Sequence, residues 1–413
     1  MTGGSWAVLA ALSWRNVWRN RRRSFITILS IACGLAAILF GQSLSKTIQY
    51  QLVEKATSVF TGHLRIQSED VTDLKFPDAY MDDPMEIESL LEGMSNVKGH
   101  QRRIFVTGLA SSKTESAAIL IIGVEPDKDK RLMTMSSYLK EGVYLDAAGP
   151  DGVYLGDKLA AQLKLGLHDE IVLMASCADG SMGAELGRIA GIYHTDSHTF
   201  DKTIAYVGLE TAQRLLDIGE GVNNIVFMLD NPDKLDETAA ALRRVTAGRP
   251  LKVVSWEDVD AELVGIREYQ DAVLNIVLLV VFFIVALGIL NTLLMAMFER
   301  VREFGVLMAL GARPSVIRKM IVMESFVMGV LGTVIGLGLG GGLILYYHYT
   351  GLELPIGDSV GFFMPFESVL YLRFQWQLHG AAVAAVLATS VLSGLPPAFR
   401  ASRLNPADSL RHI

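Results

Sequence analysis

The stretch ERVREFGVLMALGARPSVIRKM, Glu299–Met320, separates two long runs without a charged residue, Ile276–Phe298 and Ser325–Tyr347. Two further charge-free runs cover Phe25–Leu44 and Leu378–Leu395. Each run is close to the roughly 20 residues that an α-helix needs to cross the hydrocarbon core of a bilayer. The sequence therefore predicts four transmembrane helices. Composition agrees, since 51% of the 413 residues are hydrophobic and 20% are charged.

Basic residues predict the orientation of these helices, because Lys and Arg near helix ends concentrate on the cytoplasmic side. They cluster before the first run, between the second and third runs, and after the fourth: Arg15, Arg19, Arg21, Arg22 and Arg23; Arg300, Arg302, Arg313, Arg318 and Lys319; Arg400, Arg403 and Arg411. The loop between the third and fourth runs contains only Arg373. Both termini and the Glu299–Met320 stretch are therefore predicted to be cytoplasmic.

The segment between the first two runs is predicted to be a large acidic domain outside the cytoplasm. Lys46–Glu268 contains 23 Lys and Arg residues against 36 Asp and Glu residues, a net charge of −13 in a chain of net charge −7. Its roughly 220 residues are enough for one or two compact units.

Short apolar runs bounded by Gly, Asp and Asn predict strands in this segment. They are GHLRIQ (62–67), RIFVTGLAS (103–111), SAAILIIGVE (116–125), GVYLG (152–156), DEIVLMA (169–175), GRIAGIY (187–193), TIAYVGL (203–209), NNIVFML (223–229) and LKVVSW (251–256). Apolar residues at three- and four-residue spacing predict helices near Asp157, Leu209 and Asp233. The two ends of the segment continue the neighbouring membrane helices and predict a helical stalk.

The predicted fold class is an α-helical membrane protein with four transmembrane helices and a large α+β extracytoplasmic domain inserted between the first and second helices. The predicted segments are a cytoplasmic amphipathic segment (1–23), the first membrane helix (24–45), the periplasmic domain with stalk ends (46–268), the second membrane helix (269–298), a cytoplasmic helix (299–319), the third membrane helix (320–347), a short periplasmic loop (348–376), the fourth membrane helix (377–397) and a cytoplasmic tail (398–413).

An alternative for the N-terminus is a cleaved secretory signal, since basic residues precede an apolar stretch and LSIAC ends at Cys33. Ser30 occupies the position where a lipoprotein signal has Leu, and the apolar run continues to Leu44. We therefore expect the first helix to be retained. Cys33 would then lie in lipid and Cys177 in the outer domain, so no disulfide is expected.

The sequence offers little for catalysis. His194 and His198 are four residues apart, with Asp196 between them and Asp201 beyond, but they lie in a predicted loop and lack the catalytic Glu of the zinc-protease motif. The P-loop pattern G-x-x-x-x-G-K-[ST] does not occur in the sequence. We therefore predict a non-catalytic chain without a metal site.

In the opening stretch, Val301, Phe304, Gly305 and Met308 share one helical face. Gly311 is predicted to end the helix, Pro314 to reinforce the break, and Ser315 to cap the helix that follows. An apolar stripe with charged borders suits a helix that docks into a groove on another protein. A helix lying on the lipid headgroups is the alternative, and the pattern does not separate the two.

The pattern E-R-x-x-E-F-G-x-L-x-A-L-G-A, followed by MIVMES, resembles the coupling segment of ABC permeases of the macrolide-exporter, lipoprotein-release and FtsX superfamily. LSWRNVWRNRRRSFITILSIA resembles the start of these permeases, and PPAFRASRLNPADSLRH resembles their tail. GVEPDKDKRL, VYLGDKLAAQLKLGLHDEIVL and GRIAGIYHTDSHTFDKTIAYVGLETAQRLL resemble their periplasmic domain. The resemblance covers nearly the whole chain and is closest to permeases of the lipoprotein-release type.

This resemblance implies a permease that works with a separate cytoplasmic ABC ATPase, which binds ATP and Mg, and with a second permease copy or paralogue. Membrane lipids, and a periplasmic adaptor or lipoprotein, are further implied partners; nucleic acid is not. The implied function is export or extraction of lipids, lipoproteins or amphiphiles by mechanotransmission. The residues implied to dock the ATPase are Glu299, Arg300, Arg302, Glu303, Phe304, Gly305, Leu307, Ala309, Leu310, Gly311 and Ala312.

Within the membrane helices, Gly332, Gly336 and Gly340 recur every four residues and predict close approach of another helix. Glu324 is expected near the N-terminus of the third membrane helix, where an acid suits the helix dipole or could pair with Arg318 or Lys319.

Docking of a periplasmic chaperone is not expected. Ala175–Arg188 is Gly-rich and short, without the Pro-containing hairpin through which lipoprotein-release permeases recruit a chaperone.

Two other functions remain open. A regulator that switches a cell-wall hydrolase is one alternative, although that branch usually has a smaller outer domain. A membrane-anchored enzyme is the other, and it predicts activity of the outer domain without ATP.

Overall fold

The chain divides into two compact units in a computed structural model that describes residues 3–75, 77–89, 93–353 and 369–404, with side chains from residue 11 onward. We call the first the membrane unit; it contains Met1–Ile48, Glu268–Glu353 and Val369–Ile413. The second, the inserted domain, contains Gln49–Arg267. Most of the predicted periplasmic loop (348–376) and of the predicted tail (398–413) lies outside the described residues.

The helices and strands occur in the following order along the chain. The helices are α1 (Gly3–Arg19), α2 (Arg21–Lys55), α3 (Pro84–Ser89), α4 (Pro126–Leu132), α5 (Asp157–Leu163), α6 (His198–Thr203), α7 (Leu209–Leu216), α8 (Leu235–Val245), α9 (Trp256–Val259), α10 (Ala261–Glu299), α11 (Val301–Ala309), α12 (Pro314–Thr350) and α13 (Trp376–Ala401). The strands are β1 (Leu64–Ser68), β2 (Val97–Ser111), β3 (Ser116–Val124), β4 (Leu139–Gly142), β5 (Gly152–Gly156), β6 (Glu170–Ser176), β7 (Met182–Tyr193), β8 (Ile204–Gly208), β9 (Asn224–Leu229), β10 (Leu251–Ser255), β11 (Leu352–Glu353) and β12 (Val369–Leu370).

Four helices among the described residues are long and apolar enough to cross a membrane: α2, α10, α12 and α13. α2 has 35 residues and continues as a π-helical segment, Ala56–Thr61, while α10 has 39 residues. A helix rises about 1.5 Å per residue, so both exceed the roughly 30 Å thickness of the hydrocarbon core. The predicted fold class, four membrane helices with a domain inserted after the first, is confirmed.

Glycines on α12 bring it close to α2 in the membrane unit. A Cβ atom at Gly332 would lie 2.6 Å from the Cβ atom of Ile31, and one at Gly336 would lie 2.9 Å from the carbonyl oxygen of Ala32. A Cβ atom at Gly340 would lie 3.0 Å from the Cα atom of Ala36. The three predicted packing glycines therefore face one helix, and their lack of side chains sets its distance from α12.

The inserted domain is built on one mixed sheet with strand order β10-β1-β9-β2-β3-β8-β5-β7-β4, to which β6 adds by pairing with β2 and β7. Most neighbouring strands are antiparallel, but β3–β8 and β5–β7 are parallel. α5 and α7 supply Leu159, Leu163, Leu215 and Leu216 to the core. This arrangement is the predicted α+β domain.

The structure also contains elements that the sequence patterns did not predict. β4 is exposed along its whole length, so it lacks the apolar run that marks a buried strand. β7 begins at Met182, inside the Gly-rich stretch Ala175–Arg188, and pairs with β6 as a hairpin from Ser176 opposite Met182. The prediction of a loop around His198 is wrong for the residues after Ser197, where the chain forms α6 instead. Ser197 caps this helix by accepting the N–H of Phe200.

His63 is a buried titratable group at the edge of β1. Its Nδ1 atom accepts the backbone N–H of Leu229 at 3.1 Å. Burial, together with the positive charge of Lys98, lowers the pKa of His63 from 6.5 to about 4. The imidazole is therefore neutral in the folded domain at neutral pH.

The lowered pKa makes the stability of the protein depend on pH. Below pH 6.5 the unfolded chain protonates His63 while the folded chain does not, so this contribution is present above pH 6.5 and lost as the pH falls toward 4. The loss is about 3 kcal/mol. In His63→Asn, whose amide oxygen can accept the same N–H, we expect a smaller decrease in unfolding temperature between pH 7 and pH 4.5. Equal decreases in the variant and the wild type would contradict the assignment.

A second prediction compares two glycines of α12. Gly332→Ala places a methyl group against Ile31 and is expected to destabilise the protein by about 1–3 kcal/mol through overpacking. Gly338→Ala meets no atom within 4 Å and is expected to be neutral, or stabilising by up to about 1 kcal/mol, through helix propensity. Thermal unfolding of the purified full chain measures both. Equal effects would show that α2 does not depend on this contact.

Candidate functional site at the α10–α11–α12 corner

The connection between α10 and α12 contains a short helix, α11. The region predicted as one helix over 299–319 is therefore shared among the end of α10, α11 and the start of α12. α10 ends at Glu299, and α11 ends in a Schellman motif, in which Ala312 donates its N–H to the Leu307 carbonyl and Gly311 donates to the Met308 carbonyl, each at 3.0 Å. Gly311 has φ +91°, a backbone conformation that favours glycine, so it ends the helix as expected.

The predicted cap at Ser315 is wrong. α12 begins one residue earlier, with Pro314 in its first turn and Arg313 as the N-cap residue, whose side chain makes no capping hydrogen bond. Proline suits this position because its fixed φ is already helical and its missing N–H would have had no partner in the helix.

The predicted apolar stripe of α11 faces the inside of the membrane unit. Phe304 and Gly305 are buried, and Phe304 belongs to the same core as Val17 of α1 and Met320 of α12. The unit's own helices thus cover Phe304 and Gly305, while Val301 and Met308 are half-buried; docking of a partner on this stripe stays a prediction. A second apolar set is exposed instead: Val306 at 43%, Leu307 at 40% and Leu310 at 81%.

A buried ion pair holds α11 to α12. Arg300 Nη1 lies 2.7 Å from Glu324 Oε1, and both side chains are less than a tenth exposed. Asn16 of α1 donates to the same carboxylate oxygen at 2.6 Å. The Arg300 guanidinium also lies 5.1 Å from the ring centroid of Phe304. Four helices, α1, α10, α11 and α12, therefore meet at this charge.

The expected role of Glu324 is corrected by these contacts. Glu324 lies almost three turns inside α12, too far from the N-terminus at Pro314 for a capping role. Its carboxylate pairs with Arg300 rather than with Arg318, whose guanidinium lies 5.3 Å from the Phe399 ring centroid.

A second, half-exposed layer of polar contacts surrounds the buried pair. Glu303 lies 2.7 Å from Arg19 and 3.0 Å from Arg300. Burial would raise the pKa of Glu303, but hydrogen bonds from Arg19 and Arg300 outweigh it and lower this pKa. Glu299 accepts from Asn20 at 2.7 Å and from Arg23 at 3.1 Å. Both acids thus bind α11 and the end of α10 to the N-terminal helices.

The predicted docking residues therefore fall into three groups. Arg300, Phe304 and Gly305 are buried; Glu299 and Glu303 are engaged with the N-terminal helices; Arg302, Leu307, Ala309, Leu310 and Gly311 are exposed, and Ala312 is half-buried. Only the exposed group can meet a partner without rearrangement. Contact with an ATPase stays a prediction for that group.

Sequence reasoning missed the N-terminal members of this site, Asn16, Arg19, Asn20 and Arg23. A signal was present, since Asn16 and Asn20, like Arg19 and Arg23, are four residues apart in the sequence, although the break between α1 and α2 at Asn20 separates the members of each pair. Their partners lie 276 to 308 residues away in the chain, and one sequence does not reveal such a pairing.

The candidate metal residues of the inserted domain are only partly brought together. His194 Nδ1 lies 3.0 Å from Asp157 and 3.2 Å from Asp201, and His194 Nε2 lies 2.7 Å from Asp196. His198 instead opens α6. Burial would lower the pKa of His194, but these carboxylates, Asp157 first, raise it. The ligand atoms of Asp157, His194 and Asp201 lie close enough together that these residues could hold a metal ion, and the predicted lack of a metal site stays a prediction.

A membrane unit with four long helices, a sheet domain inserted after the first, and a short charged helix between the second and third define a membrane permease of the ABC transporter class. Two family models match: MacB-like periplasmic core domain over residues 24–245, and FtsX-like permease C-terminal over residues 275–406. The first covers more than half of the chain. The chain belongs to this MacB-like, FtsX-like family of ABC transporter permeases, which confirms the resemblance seen in its motifs.

Individual relatives are similar to nearly the whole chain or to about half of it. The Lipoprotein-releasing system transmembrane protein LolC of Xylella fastidiosa is 22% identical over 97% of this chain and 98% of its own length. The Macrolide export ATP-binding/permease protein MacB of Hyphomonas neptunium is 28% identical over 50% of this chain and 30% of its own length. The periplasmic region of MacB from Actinobacillus actinomycetemcomitans is a similar solved structure (10% identity, TM-score 0.35), covering 51% of this chain and 97% of that chain.

The buried ion pair leads to a prediction with a matched control. Arg300→Met leaves Glu324 buried without its partner and is expected to destabilise the protein by about 3–5 kcal/mol. Arg302→Met, an exposed neighbour on the same helix, is expected to change stability by less than about 0.5 kcal/mol. The double variant Arg300→Met/Glu324→Leu should recover most of the loss. Thermal unfolding of the full chain tests this, and equal losses in Arg300→Met and Arg302→Met would contradict it.

Proposed function

We propose that this chain is the permease subunit of an ABC transporter, in which a separate ATPase subunit binds ATP and Mg and drives a conformational change of the inserted domain. Membership of the permease family supports this proposal. The observation that carries it is the two-sided character of α11: one face is fixed to the unit by Phe304 and Arg300, and the other exposes Leu307 and Leu310. A partner that binds the exposed face of such a helix can displace it, and the contacts on the other face can carry this displacement to α10 and α12.

The proposed orientation places both termini and α11 in the cytoplasm and the inserted domain in the periplasm. The distribution of Lys and Arg around the four membrane helices supports it. It puts the exposed face of α11 on the side where ATP is available.

The proposed route of transmission is through α2 and α10, which run without interruption from the membrane unit into the inserted domain. Lys46 of α2 lies 3.1 Å from Asp271 of α10, so an ion pair joins the two helices within the membrane unit.

A second permease copy or a paralogue is part of the proposal. The most apolar 18-residue window of α10 has a mean hydropathy of 3.2, and only 11% of it is buried. The corresponding windows of α2 and α12 are 50% buried. α10 therefore has the largest uncovered apolar surface of the three, which lipid together with a partner permease would cover.

The proposed cargo is a lipid, a lipoprotein or another amphiphile taken from the outer leaflet. The printed names of the LolC and MacB relatives, lipoprotein release and macrolide export, support this class. A periplasmic adaptor remains a proposed partner, although the β6–β7 hairpin turns within Cys177–Ser181 and offers no long extension for a chaperone. The alternative, a regulator of a cell-wall hydrolase, is less favoured by the large inserted domain.

The coupling proposal predicts the effect of a charge on the exposed face of α11. Leu310→Glu is expected to reduce the amount of co-purified ATPase at least about tenfold, because it removes an exposed apolar anchor. Leu186→Glu makes the same change at an exposed leucine of the inserted domain and should leave ATPase recovery unchanged. The measurement is quantitative mass spectrometry of the tagged chain purified from native membranes in mild detergent.

The same purification separates the two functions. An ATPase recovered with lipid, lipoprotein or an export adaptor supports the transporter, and an ATPase with a wall hydrolase supports the regulator. Recovery of no ATPase with the wild-type chain would contradict both.

A further inference from the structure

Two metal-ligating side chains of the inserted domain leave its sheet at the same edge. In the parallel β5–β7 pair, Gly156 lies opposite Tyr193, and these are the last residues of the two strands. The residues that follow them, Asp157 and His194, therefore come out of the sheet side by side. His194 Nδ1 lies 3.0 Å from Asp157 Oδ2. The register of the sheet thus brings an imidazole and a carboxylate together.

A third metal-ligating side chain comes from α6. Gly156 lets this helix approach the strand end, because a Cβ atom at Gly156 would lie 2.1 Å from the Asp201 carbonyl oxygen. The Asp201 side chain is 1% exposed, and its Oδ2 atom lies 3.2 Å from His194 Nδ1. Thr195 fixes this carboxylate, since its hydroxyl donates to Oδ1 at 2.6 Å and its N–H donates to Oδ1 at 3.0 Å and to Oδ2 at 3.2 Å. One imidazole nitrogen therefore faces two positioned carboxylates.

The separations between these atoms suit a shared metal ion. Zinc binds imidazole nitrogen and carboxylate oxygen at about 2.0–2.2 Å, so two ligand atoms on one ion lie roughly 3.0–3.5 Å apart. The two separations from His194 Nδ1, 3.0 Å and 3.2 Å, fall in this range. All three ligand atoms lie within 4.8 Å of one another. They can therefore bind one ion with little movement of their side chains.

A proton on His194 Nδ1 suits this arrangement less well than a metal ion does. Nδ1 has no acceptor in hydrogen-bonding geometry among the described residues, although two carboxylate oxygens lie within 3.2 Å. An N–H at Nδ1 would thus be aligned with neither oxygen. His194 Nε2 lies 2.7 Å from Asp196 Oδ1, which can accept the other ring proton and leave the Nδ1 lone pair for an ion. Metal-binding imidazoles usually have such a partner on the second nitrogen.

The charges around the site favour a doubly charged ion. Asp157, Asp196 and Asp201 bring three carboxylates to one imidazole, and Asp157 Oδ1 has no hydrogen-bond donor among the described residues. Lys140 Nζ lies 2.9 Å from Asp157 Oδ2, but its side chain is 48% exposed on the exposed strand β4 and can turn into solvent. The His194 side chain is 36% exposed, so an ion can reach the site from solvent.

We propose that Asp157, His194 and Asp201 bind a divalent transition metal ion, with zinc as the ion that suits one imidazole and two carboxylates. Three protein ligands leave a fourth position, which zinc fills with water. The proposal departs from the sequence-based expectation of no metal site, which considered His194 with His198 and not with Asp157. It goes beyond the proposed transport function, since binding needs neither the ATPase nor a second permease.

The test is equilibrium dialysis of radioactive Zn²⁺ against the full chain, purified in detergent through a tag without histidine and stripped of metal with EDTA. We expect saturable binding of one Zn²⁺ ion per chain that millimolar Mg²⁺ does not displace, because Mg²⁺ prefers oxygen ligands. Binding that does not saturate, or displacement by Mg²⁺, would overturn the proposal.

Two substitutions of the same kind locate the site. His194→Asn removes the ligand nitrogen and is expected to weaken Zn²⁺ binding at least about tenfold. His198→Asn changes an exposed histidine four residues further along the chain and should leave the affinity unchanged. Equal affinities in the two variants would exclude His194 as a ligand. Zn²⁺ should also raise the unfolding temperature of the wild type and of His198→Asn, but not that of His194→Asn.

The carboxylates are tested by Asp157→Asn and Asp201→Asn. Each substitution keeps the size of the side chain and removes its charge, so each should weaken Zn²⁺ binding at least about tenfold. Asp157→Asn is the decisive variant, because Asp201 also accepts hydrogen bonds from Thr195 that hold α6 in place. Lys140→Met removes a competing cation from Asp157 and should strengthen Zn²⁺ binding.

Unchanged affinity in Asp157→Asn, or weaker binding in Lys140→Met, would contradict the assignment. All of these measurements are made without ATP, so their outcome is independent of the transport test.

Discussion

A buried charge pair, Arg300 with Glu324, joins the helices of the membrane unit. Removing Arg300 and Glu324 from water costs several kcal/mol for each ion, and only their mutual contact and the added hydrogen bond from Asn16 offset that cost. Neither residue can leave the site alone. Because Arg300 lies between α10 and α11, Glu324 belongs to α12 and Asn16 belongs to α1, the pair joins these four helices. In the proposed coupling mechanism, this contact is what would carry a displacement of α11 to α12.

Packing of small residues completes this unit. Gly332, Gly336 and Gly340 let α2 approach α12 at backbone distance, and Gly394 of α13 faces Ser325 of α12 in the same way. α12 is thus the central helix, in contact with α2 on one side and α13 on another, and joined to α11 by the ion pair. α10 shares this core through its middle and C-terminal half, where Val285, Ile289 and Leu293 are buried and Thr292 shares a 2.6 Å hydrogen bond with Thr27 of α2. Its opposite, apolar side is uncovered.

Properties that are local in sequence were predictable. Charge-free runs gave the membrane helices, β-branched and aromatic runs bounded by turn residues gave most of the sheet, and Gly311 gave the end of α11. Properties that depend on contacts with distant segments of the folded chain were not predictable from the sequence. The periodicity of Val301, Phe304, Gly305 and Met308 shows that α11 has an apolar face, but not whether its own chain or a partner covers it. Glu324 likewise looked like a helix cap because its partner, Arg300, belongs to another helix. β4 escaped prediction because an exposed strand at the edge of a sheet needs no apolar run.

The apolar stripe of α11 faces the inside of the membrane unit, and this orientation suits a coupling role for the helix. A helix bound to its partner by the only apolar face it has would be loosely attached to its own chain, and its motion would not reach the membrane helices. Here Phe304 and Arg300 anchor α11 within the unit, and a second apolar set, ending in the almost fully exposed Leu310, faces outward. The Schellman turn fixes the backbone beside Leu310, so little conformational entropy is lost when a partner covers it. Firm attachment on one face and a preorganised apolar contact on the other are together what a mechanical coupling element requires.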